Sequence, residues 1–175
     1  ATVVAVDIPA AGDALAKVAN EIGGSALQLD ITTADAGARI TGHIASRYGQ
    51  DKRIWAIVHN AGITRDKLLA NMLPETWESV LAVNLAAQLR INEQLLASEH
   101  FRDAPRIVSL ASTSGIAGNR GQTNYAASKA GLVGMARAIT RELSSRGVTA
   151  NVVAPGYIHT AMTDFTAVRD ALEAA

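Results

Sequence analysis

The sequence predicts a three-layer αβα fold, in which helices cover both faces of a doubly wound parallel sheet. Segments with strand and helix patterns alternate along the whole chain, and the strand segments are almost continuously apolar. Strands of this kind are typical of parallel sheets that are buried on both faces. The chain has 175 residues, which suits one domain with a substantial core.

Short β-branched and apolar runs predict five strands, and most of these runs stop at a polar or small residue. The predicted strands are Thr2–Val6, Ala26–Leu29, Ile54–Val58, Ile107–Ala111 and Val148–Ala154.

Apolar residues at helical spacing predict four helices and a helical tail. The first helix stops at Gly23-Gly24, the third opens with Pro74 in its favoured first turn, and Gly147 follows the fourth. The predicted helices are Gly12–Ile22, Thr33–Tyr48, Pro74–His100 and Thr123–Ser145, and the tail begins at Thr160.

The composition indicates a folded protein with no strongly charged face. Apolar residues make up 49% of the chain, and sixteen basic residues balance sixteen acidic ones. This balance gives no charge footprint for non-specific binding to nucleic acid or membranes. The chain has no cysteine, which excludes disulfides and thiolate metal sites. Because no signal-like segment or apolar run of ~18 residues is present, we expect a cytoplasmic protein.

Polar and small residues close the predicted strands. They are Asp7, Asp30, Asn60-Ala61-Gly62, Ser112 and Pro155-Gly156. Ligands of open parallel sheets bind outside the carboxyl ends of the strands. We therefore expect a ligand site at this edge.

Asp7 carries information about the ligand. A carboxylate at the end of a strand can accept hydrogen bonds from both hydroxyls of a ribose and repels a 2′-phosphate, which favours NAD(H) over NADP(H). The alternative is an aspartate that starts a loop or caps the next helix. Asp30 is open to the same alternative, because aspartate is a frequent turn former.

Tyr125 and Lys129 are four residues apart and therefore lie on one face of the predicted helix. A nearby cation stabilises a phenolate, which makes a tyrosine usable as a general acid or base near neutral pH. Ser112, at the end of the preceding strand, is placed to donate a hydrogen bond to a substrate carbonyl. Taken alone, the Tyr-x-x-x-Lys spacing is also typical of a solvated helix face. Ser112 at the end of the preceding strand favours the interpretation as a catalytic pair.

These residues resemble the short-chain dehydrogenase/reductase family. The matching motifs, in family order, are HNAG (59–62), VNLAA (83–87), Ser112, YAASK (125–129) and PGYIHT (155–160). Within that family, NAGITRDKLLANM and GNRGQTNYAASKAG are similar to 3-oxoacyl-[acyl-carrier-protein] reductases, in particular the longer, NADH-using kind. The resemblance covers essentially the whole chain and implies a Rossmann-like fold.

The resemblance implies a catalytic tetrad. Tyr125 would protonate the substrate oxygen as hydride arrives, and Ser112 would orient the carbonyl. Lys129 would support the tyrosine and hold the nicotinamide ribose. Asn84 would anchor a water in a proton relay behind Lys129, although an asparagine satisfied within a helix is the alternative.

The resemblance also implies a set of cofactor contacts. Asp7 matches the ribose-binding acid, Asp30 the residue beside the adenine, and Asn60, Ala61 and Gly62 the loop near the adenosine ribose. Tyr125 and Lys129 flank the nicotinamide, Pro155 and Gly156 shape its pocket, and Ile158 and Thr160 match the positions that bind its carboxamide. No metal is needed, because the nicotinamide carries the hydride chemistry.

The expected partners follow from the same resemblance. The substrate would be a thioester of acyl-carrier protein or CoA, with Arg146 matching a docking arginine and Arg102 lying near a second docking position. Both arginines are alternatively solvated charges at element ends. The helices 74–100 and 123–145 would pack between subunits of a homodimer or homotetramer.

Two departures from the family pattern stand out. His59 replaces the first asparagine of the family's NNAG motif, and we expect this to change a packing or hydrogen-bond detail rather than the chemistry. The chain also lacks the family's Gly-x-Gly turn. We therefore expect residues 1–175 to be one incomplete domain, without the first strand, its glycine-rich turn and the last strand. The missing first strand would stand between the strands at Val3 and Ile54.

Two other functions stay open at this level. One is a short-chain dehydrogenase that acts on a different alcohol or ketone. The other is a non-catalytic fragment with a role in assembly, which the missing phosphate-binding turn favours and the intact Ser112, Tyr125 and Lys129 oppose.

Overall fold

The computed structural model describes residues 1–156 and Ile158, apart from the side chain of Arg102. All five strands run parallel. Two of them, β1 (Val4–Asp7) and β2 (Ser25–Gln28), pair with each other. The other three form a sheet in the order β3-β4-β5, which are Ile54–His59, Phe101–Leu110 and Thr149–Val153.

The sheet is in two parts. Among the described residues no strand pairing joins β1 to β3, and the break falls where the family resemblance implies a further strand. A hydrophobic cluster nevertheless spans the break, because Val4 and Val6 of β1 pack with Ile54 and Ile57 of β3 around the same buried residues.

Within the described part of the chain, six helices flank the strands. They are α1 (Gly12–Glu21), α2 (Ala36–Tyr48), α3 (Pro74–Leu81), α4 (Ala87–Ala97), α5 (Ser114–Ala117) and α6 (Thr123–Glu142). Helix α1 packs on β1 and β2, α2 packs on α4, and α6 packs on α3, β4 and β5. With right-handed crossovers, the reversal of direction after β2 places α1 on the opposite face from α2, α4 and α6. This is the predicted αβα architecture.

The predicted helix Pro74–His100 is interrupted. A π-helical turn, Ala82–Ala86, separates α3 from α4, and the helical conformation ends at Ala97. Ser98 is extended, and its hydroxyl donates to the carbonyl of Leu95. The end at His100 was therefore wrong by three residues. The π turn contains Asn84, whose side chain bonds to residues outside this helical segment.

Helix α6 is also shorter than the predicted 123–145. It ends at Glu142, and a 3-10 turn, Ser144–Arg146, follows it. Gly147 then adopts the left-handed conformation, with φ of 67°, so its predicted role as a stop is confirmed. The predicted helical tail from Thr160 lies outside the described residues.

Strand β4 begins six residues before its predicted start. Ala104 has a positive φ of 54°, and the β3–β4 register shifts between Ile54 and Ala56. Sequence patterning located only the regular half of the strand, from Ile107, because the irregular half contains Pro105 and follows no alternation.

The core that joins the two parts of the sheet centres on α2 and α4. Its buried members are Leu29, Ala36, Ile40, Ile44, Ile91, Leu95 and Phe101. Polar contacts add to it: the side chain of Gln94 accepts a hydrogen bond from Gly37 N at 2.7 Å and donates one to Ala34 O at 2.6 Å. Helix α4 thus holds the start of α2 by both packing and hydrogen bonds.

Replacing Leu95 with alanine should lower the free energy of unfolding by about 2–5 kcal/mol, because this side chain is fully buried in the joining core. Urea unfolding of the full-length protein measures this. Leu89→Ala, on the same helix but 45% exposed, is the matched control and should cost no more than about 1 kcal/mol. Equal losses in the two variants would show that α4 does not carry the core in this way.

Candidate active site

The carboxyl ends of β3, β4 and β5 lie side by side. In the parallel register, His59 is opposite Ser109, and Ser109 is opposite Val152. Beyond the strands, Thr113 N donates to Pro155 O at 3.1 Å. The loop that carries Ser112 therefore lies next to the Pro155-Gly156 segment, as expected for two parts of one site.

The Ser112 loop also lies against α6. Ser112 is half-buried, and its hydroxyl oxygen accepts a hydrogen bond from Ser114 N at 3.1 Å. A Cβ at Gly115 would come within 2.8 Å of Lys129 C and Ala130 N, so this backbone approach requires glycine. Helix α5 thereby presses the loop onto the turn of α6 that contains Lys129.

Lys129 is a buried cation. Its side chain is 4% exposed, and its ammonium donates to the carbonyl oxygen of Leu110 at 2.6 Å. The same ammonium lies 5.5 Å from the centre of the Tyr125 ring. Burial lowers the pKa of Lys129 below its ordinary value, because the low-dielectric surroundings disfavour the charged form. The predicted pairing of Tyr125 with Lys129 is therefore present in the fold.

The first turn of α6 is fixed by a buried asparagine. Asn124 accepts a hydrogen bond from Tyr125 N at 2.7 Å and donates to Arg65 O at 3.1 Å. It ties the start of α6 to the loop after β3, and so fixes where the half-buried Tyr125 stands. The sequence analysis missed Asn124. Its signal was an asparagine in the first turn of a helix, where this residue type commonly bonds to the backbone.

Asn84 sits in the π turn and is fully buried. Its side-chain amide accepts from Ile63 N at 2.8 Å and donates to Ile63 O at 3.0 Å and to Ser128 Oγ at 3.1 Å. Both N–H groups of the amide are thus engaged by protein atoms. The side chain clamps the backbone just after Gly62, and π turns are frequent at functional sites.

Gly62 lies at the meeting point of these groups. A Cβ there would come within 3.3 Å of Asn84 Oδ1 and 3.4 Å of Lys129 Nζ. The loop Asn60-Ala61-Gly62 therefore passes directly beside the buried ammonium. A cation beside an open backbone cradle, at the carboxyl edge of a parallel sheet, fits the ribose end of a nicotinamide cofactor.

Asp7 and Asp30 end up at the same edge but on the other part of the sheet, and both are exposed. Asp7 Oδ1 accepts a hydrogen bond from Ile8 N at 2.7 Å. Asp30 Oδ1 accepts from the hydroxyl and the amide of Thr32, and these bonds hold the pKa of Asp30 below its ordinary value. The turn alternative thus describes part of what Asp30 does.

The remaining predicted residues are Ile158, Thr160, Arg102 and Arg146. Ile158 is exposed, and Thr160 and the side chain of Arg102 lie outside the described part of the chain. Arg146 is exposed after α6, where its guanidinium reaches the carbonyl of Leu96 at 3.5 Å.

Neither a metal site nor a membrane-spanning helix is found within residues 1–156 and at Ile158. No group of three or more His, Cys, Asp or Glu side chains is arranged to hold a metal ion. No helix of the described residues is long and apolar enough to cross a lipid bilayer.

The parallel strands and the flanking helices define a class, the αβα proteins with a Rossmann-like sheet. The chain matches the family model for the short chain dehydrogenases over residues 1–170, and it belongs to that family.

Its relatives include 3-oxoacyl-[acyl-carrier-protein] reductases. It is 43% identical over 145 residues to the FabG reductase of Pseudomonas aeruginosa, covering 83% of this chain and 58% of the relative. It is 40% identical over 167 residues to FabG of Thermotoga maritima, covering 94% and 67%. With FabG of Escherichia coli the identity is 39% over 140 residues, covering 80% and 56%. The chain thus spans a little over half the length of most of these relatives.

Burial of His59 makes the stability of the protein depend on pH. The ring is 7% exposed, and burial holds its pKa below the ordinary value despite an opposing hydrogen bond with Asn92. As the pH falls below about 6.5, the unfolded chain takes up a proton on this histidine before the folded chain does. Stability must therefore decrease there, by at most about 1.4 kcal/mol per pH unit from this group.

In His59→Gln the free energy of unfolding should depend less on pH below about 6.5, because glutamine does not titrate. Chemical unfolding of the full-length protein between pH 7.5 and 5.0 measures this, with His100→Gln as the control for loss of one imidazole. Parallel curves for wild type and His59→Gln would contradict the burial of a neutral ring.

Proposed function

We propose that the full-length protein is a nicotinamide-dependent reductase that converts a 3-oxoacyl thioester of acyl-carrier protein or CoA to the 3-hydroxyacyl thioester in fatty acid synthesis. The observation that carries the proposal is the buried ammonium of Lys129, held against the Leu110 carbonyl and beside the Tyr125 ring. A charged group is kept in such a place when chemistry needs it. The relatives that bear a reductase name support the substrate class.

The residues of the tetrad have different tasks. Ser112 donates a hydrogen bond to the substrate carbonyl and so fixes its orientation. Tyr125 gives its hydroxyl proton to that oxygen while hydride adds to the carbonyl carbon, and Lys129 stabilises the phenolate that remains. Asn84 acts on the loop rather than on the substrate, because it holds Ile63 by both its N–H and its C=O. The nicotinamide, when bound, supplies the hydride.

The cofactor contacts divide between the two parts of the sheet. Lys129 would hold the nicotinamide ribose, with Pro155 and Gly156 beside the ring. Asp7 would take the adenosine ribose, with the loop Asn60-Ala61-Gly62 close by and Asp30 near the adenine. Since an exposed carboxylate at Asp7 repels a 2′-phosphate, NAD(H) is favoured over NADP(H). Ile158 and Thr160 complete the proposed set at the carboxamide.

The proposal also extends to the assembly. The helical segments 74–97 and 123–142 present the surface for a homodimer or homotetramer, and the protein acts in the cytoplasm. Acyl-carrier protein would dock beside Arg146, an exposed positive charge between α6 and β5.

Removing the proton donor should stop the reaction without removing the cofactor. In Tyr125→Phe, kcat for NADH oxidation with acetoacetyl thioester should fall at least about a hundredfold, because general acid catalysis contributes at least that much. NADH binding should stay within about twofold. Tyr48→Phe, a half-buried tyrosine on α2, is the control. Turnover that survives Tyr125→Phe, or wild-type protein that oxidises neither NADH nor NADPH, would end the proposal.

Reversing the charge of Arg146 should separate the two kinds of substrate. We expect Arg146→Glu to raise KM for an acyl-carrier-protein thioester about tenfold, since an acidic carrier loses a steering charge, and to spare a small thioester. Arg47→Glu, at an exposed arginine of α2 away from the proposed subunit surface, is the control. An equal loss on both substrates would sink the docking role.

A further inference from the structure

A row of buried polar side chains runs from β3 along one face of α4 into the π turn. We call this row, made of His59, Asn92, Gln88 and Asn84, the buried polar row. His59 Nε2 lies 2.8 Å from Asn92 Oδ1. At the other end, Gln88 Nε2 donates to the main-chain carbonyl of Asn84 at 3.0 Å. Asn84, Gln88 and Asn92 are spaced by four residues, and none is more than 1% exposed.

The middle of the row contains two complementary unpaired atoms. Gln88 Oε1, an acceptor, and Asn92 Nδ2, a donor, are buried and have no hydrogen-bond partner among the described residues. Side chains four residues apart on a helix lie next to each other. Burying both atoms without a partner is unfavourable, because each loses its hydrogen bonds to water, and one buried water satisfies such a pair.

We infer that His59 is a positioning residue, which holds the Asn84 carbonyl in place through Asn92, one bridging water and Gln88. This inference rests on the proposed function, because its catalytic consequence is the placement of the loop that contacts the cofactor. Asn84 grips Ile63 with its side chain, immediately after the loop Asn60-Ala61-Gly62. A shift of the Asn84 backbone therefore moves that loop relative to Lys129.

The chemistry of the row supports a positioning role over simple filling of space. Four polar side chains in one buried stripe need hydrogen-bond partners, and a buried polar network whose members are satisfied rigidifies the residues that it joins. The His59 ring is neutral near pH 7, since burial lowers its pKa. With Asn92 Oδ1 as acceptor, its Nε2 carries the proton and donates. A neutral ring in one fixed tautomer therefore determines which atom donates and which accepts in each hydrogen bond of the row.

The first test is structural and needs no activity. A crystal structure of the full-length protein should show one water within hydrogen-bond distance of both Gln88 Oε1 and Asn92 Nδ2. Nitrogen NMR of the His59 ring should show the Nε2–H tautomer at pH 7. A direct Gln88–Asn92 hydrogen bond would overturn the bridging water, and an Nδ1–H tautomer would overturn the row.

The second test compares His59→Leu with His59→Gln, whose amide can donate from near the position of ring Nε2. In the full-length protein His59→Leu should raise the Kd for NADH about tenfold, with kcat at saturating NADH changed less than threefold. His59→Gln should restore Kd to within about threefold of wild type. A merely structural role would lower stability and the active fraction without moving Kd. Unchanged Kd in His59→Leu would therefore overturn the proposal.

The third test asks whether the residues of the buried polar row act together. Gln88→Leu should also raise Kd about tenfold, and the double variant with His59→Leu should be no worse than either single one, because the row is already broken. A hundredfold rise in the double variant would mean independent effects. Glu93→Gln, an exposed change on α4, is the control. If the wild type binds no NADH, the proposed function fails, whereas the structural test still decides on the row.

Discussion

The site depends on one constraint, the burial of a positive charge at the carboxyl end of β4. The Lys129 ammonium is almost without contact with water, and the Leu110 carbonyl is its hydrogen-bond acceptor at 2.6 Å. Placing a cation there costs free energy, as the lowered pKa of Lys129 indicates. The neighbouring features follow from it. The Gly62 loop passes directly beside this ammonium, and the Ser112 loop packs through Gly115 against the backbone of α6 at Lys129, where a side chain would clash.

Amide side chains hold the loop after β3 and the first turn of α6. Asn84 fixes Ile63, and Asn124 fixes the start of α6, both by hydrogen bonds to backbone groups. Side chains of α4 also hydrogen-bond to the backbone next to the other part of the sheet. Arg90 donates to Thr32 O, and Gln94 bonds to Ala34 O and Gly37 N. The loop with Asp30 is thereby held in register with the rest of the site, although β1 and β3 do not pair.

The sequence predicted what depends on local pattern and motif. The helix start at Pro74 and the left-handed conformation of Gly147 each follow from residues within a few positions. The π turn at Asn84 did not follow, because its cause is the distant backbone of Ile63 and the hydroxyl of Ser128. For His59 the expected hydrogen-bond change is present, but its partner, Asn92, lies 33 residues away and carries no motif. Contacts of this kind become visible only when the chain is folded.

If the buried charge is retained for chemistry, then its removal should separate stability from activity. The direct measurement is the unfolding midpoint and the NADH turnover of full-length Lys129→Met beside wild type. Methionine removes a desolvation cost of several kcal/mol and leaves one carbonyl without its partner, a loss of about 1–3 kcal/mol. The account predicts a variant at least as stable as wild type that has lost turnover. A variant that is clearly less stable, or one that still turns over, would contradict it.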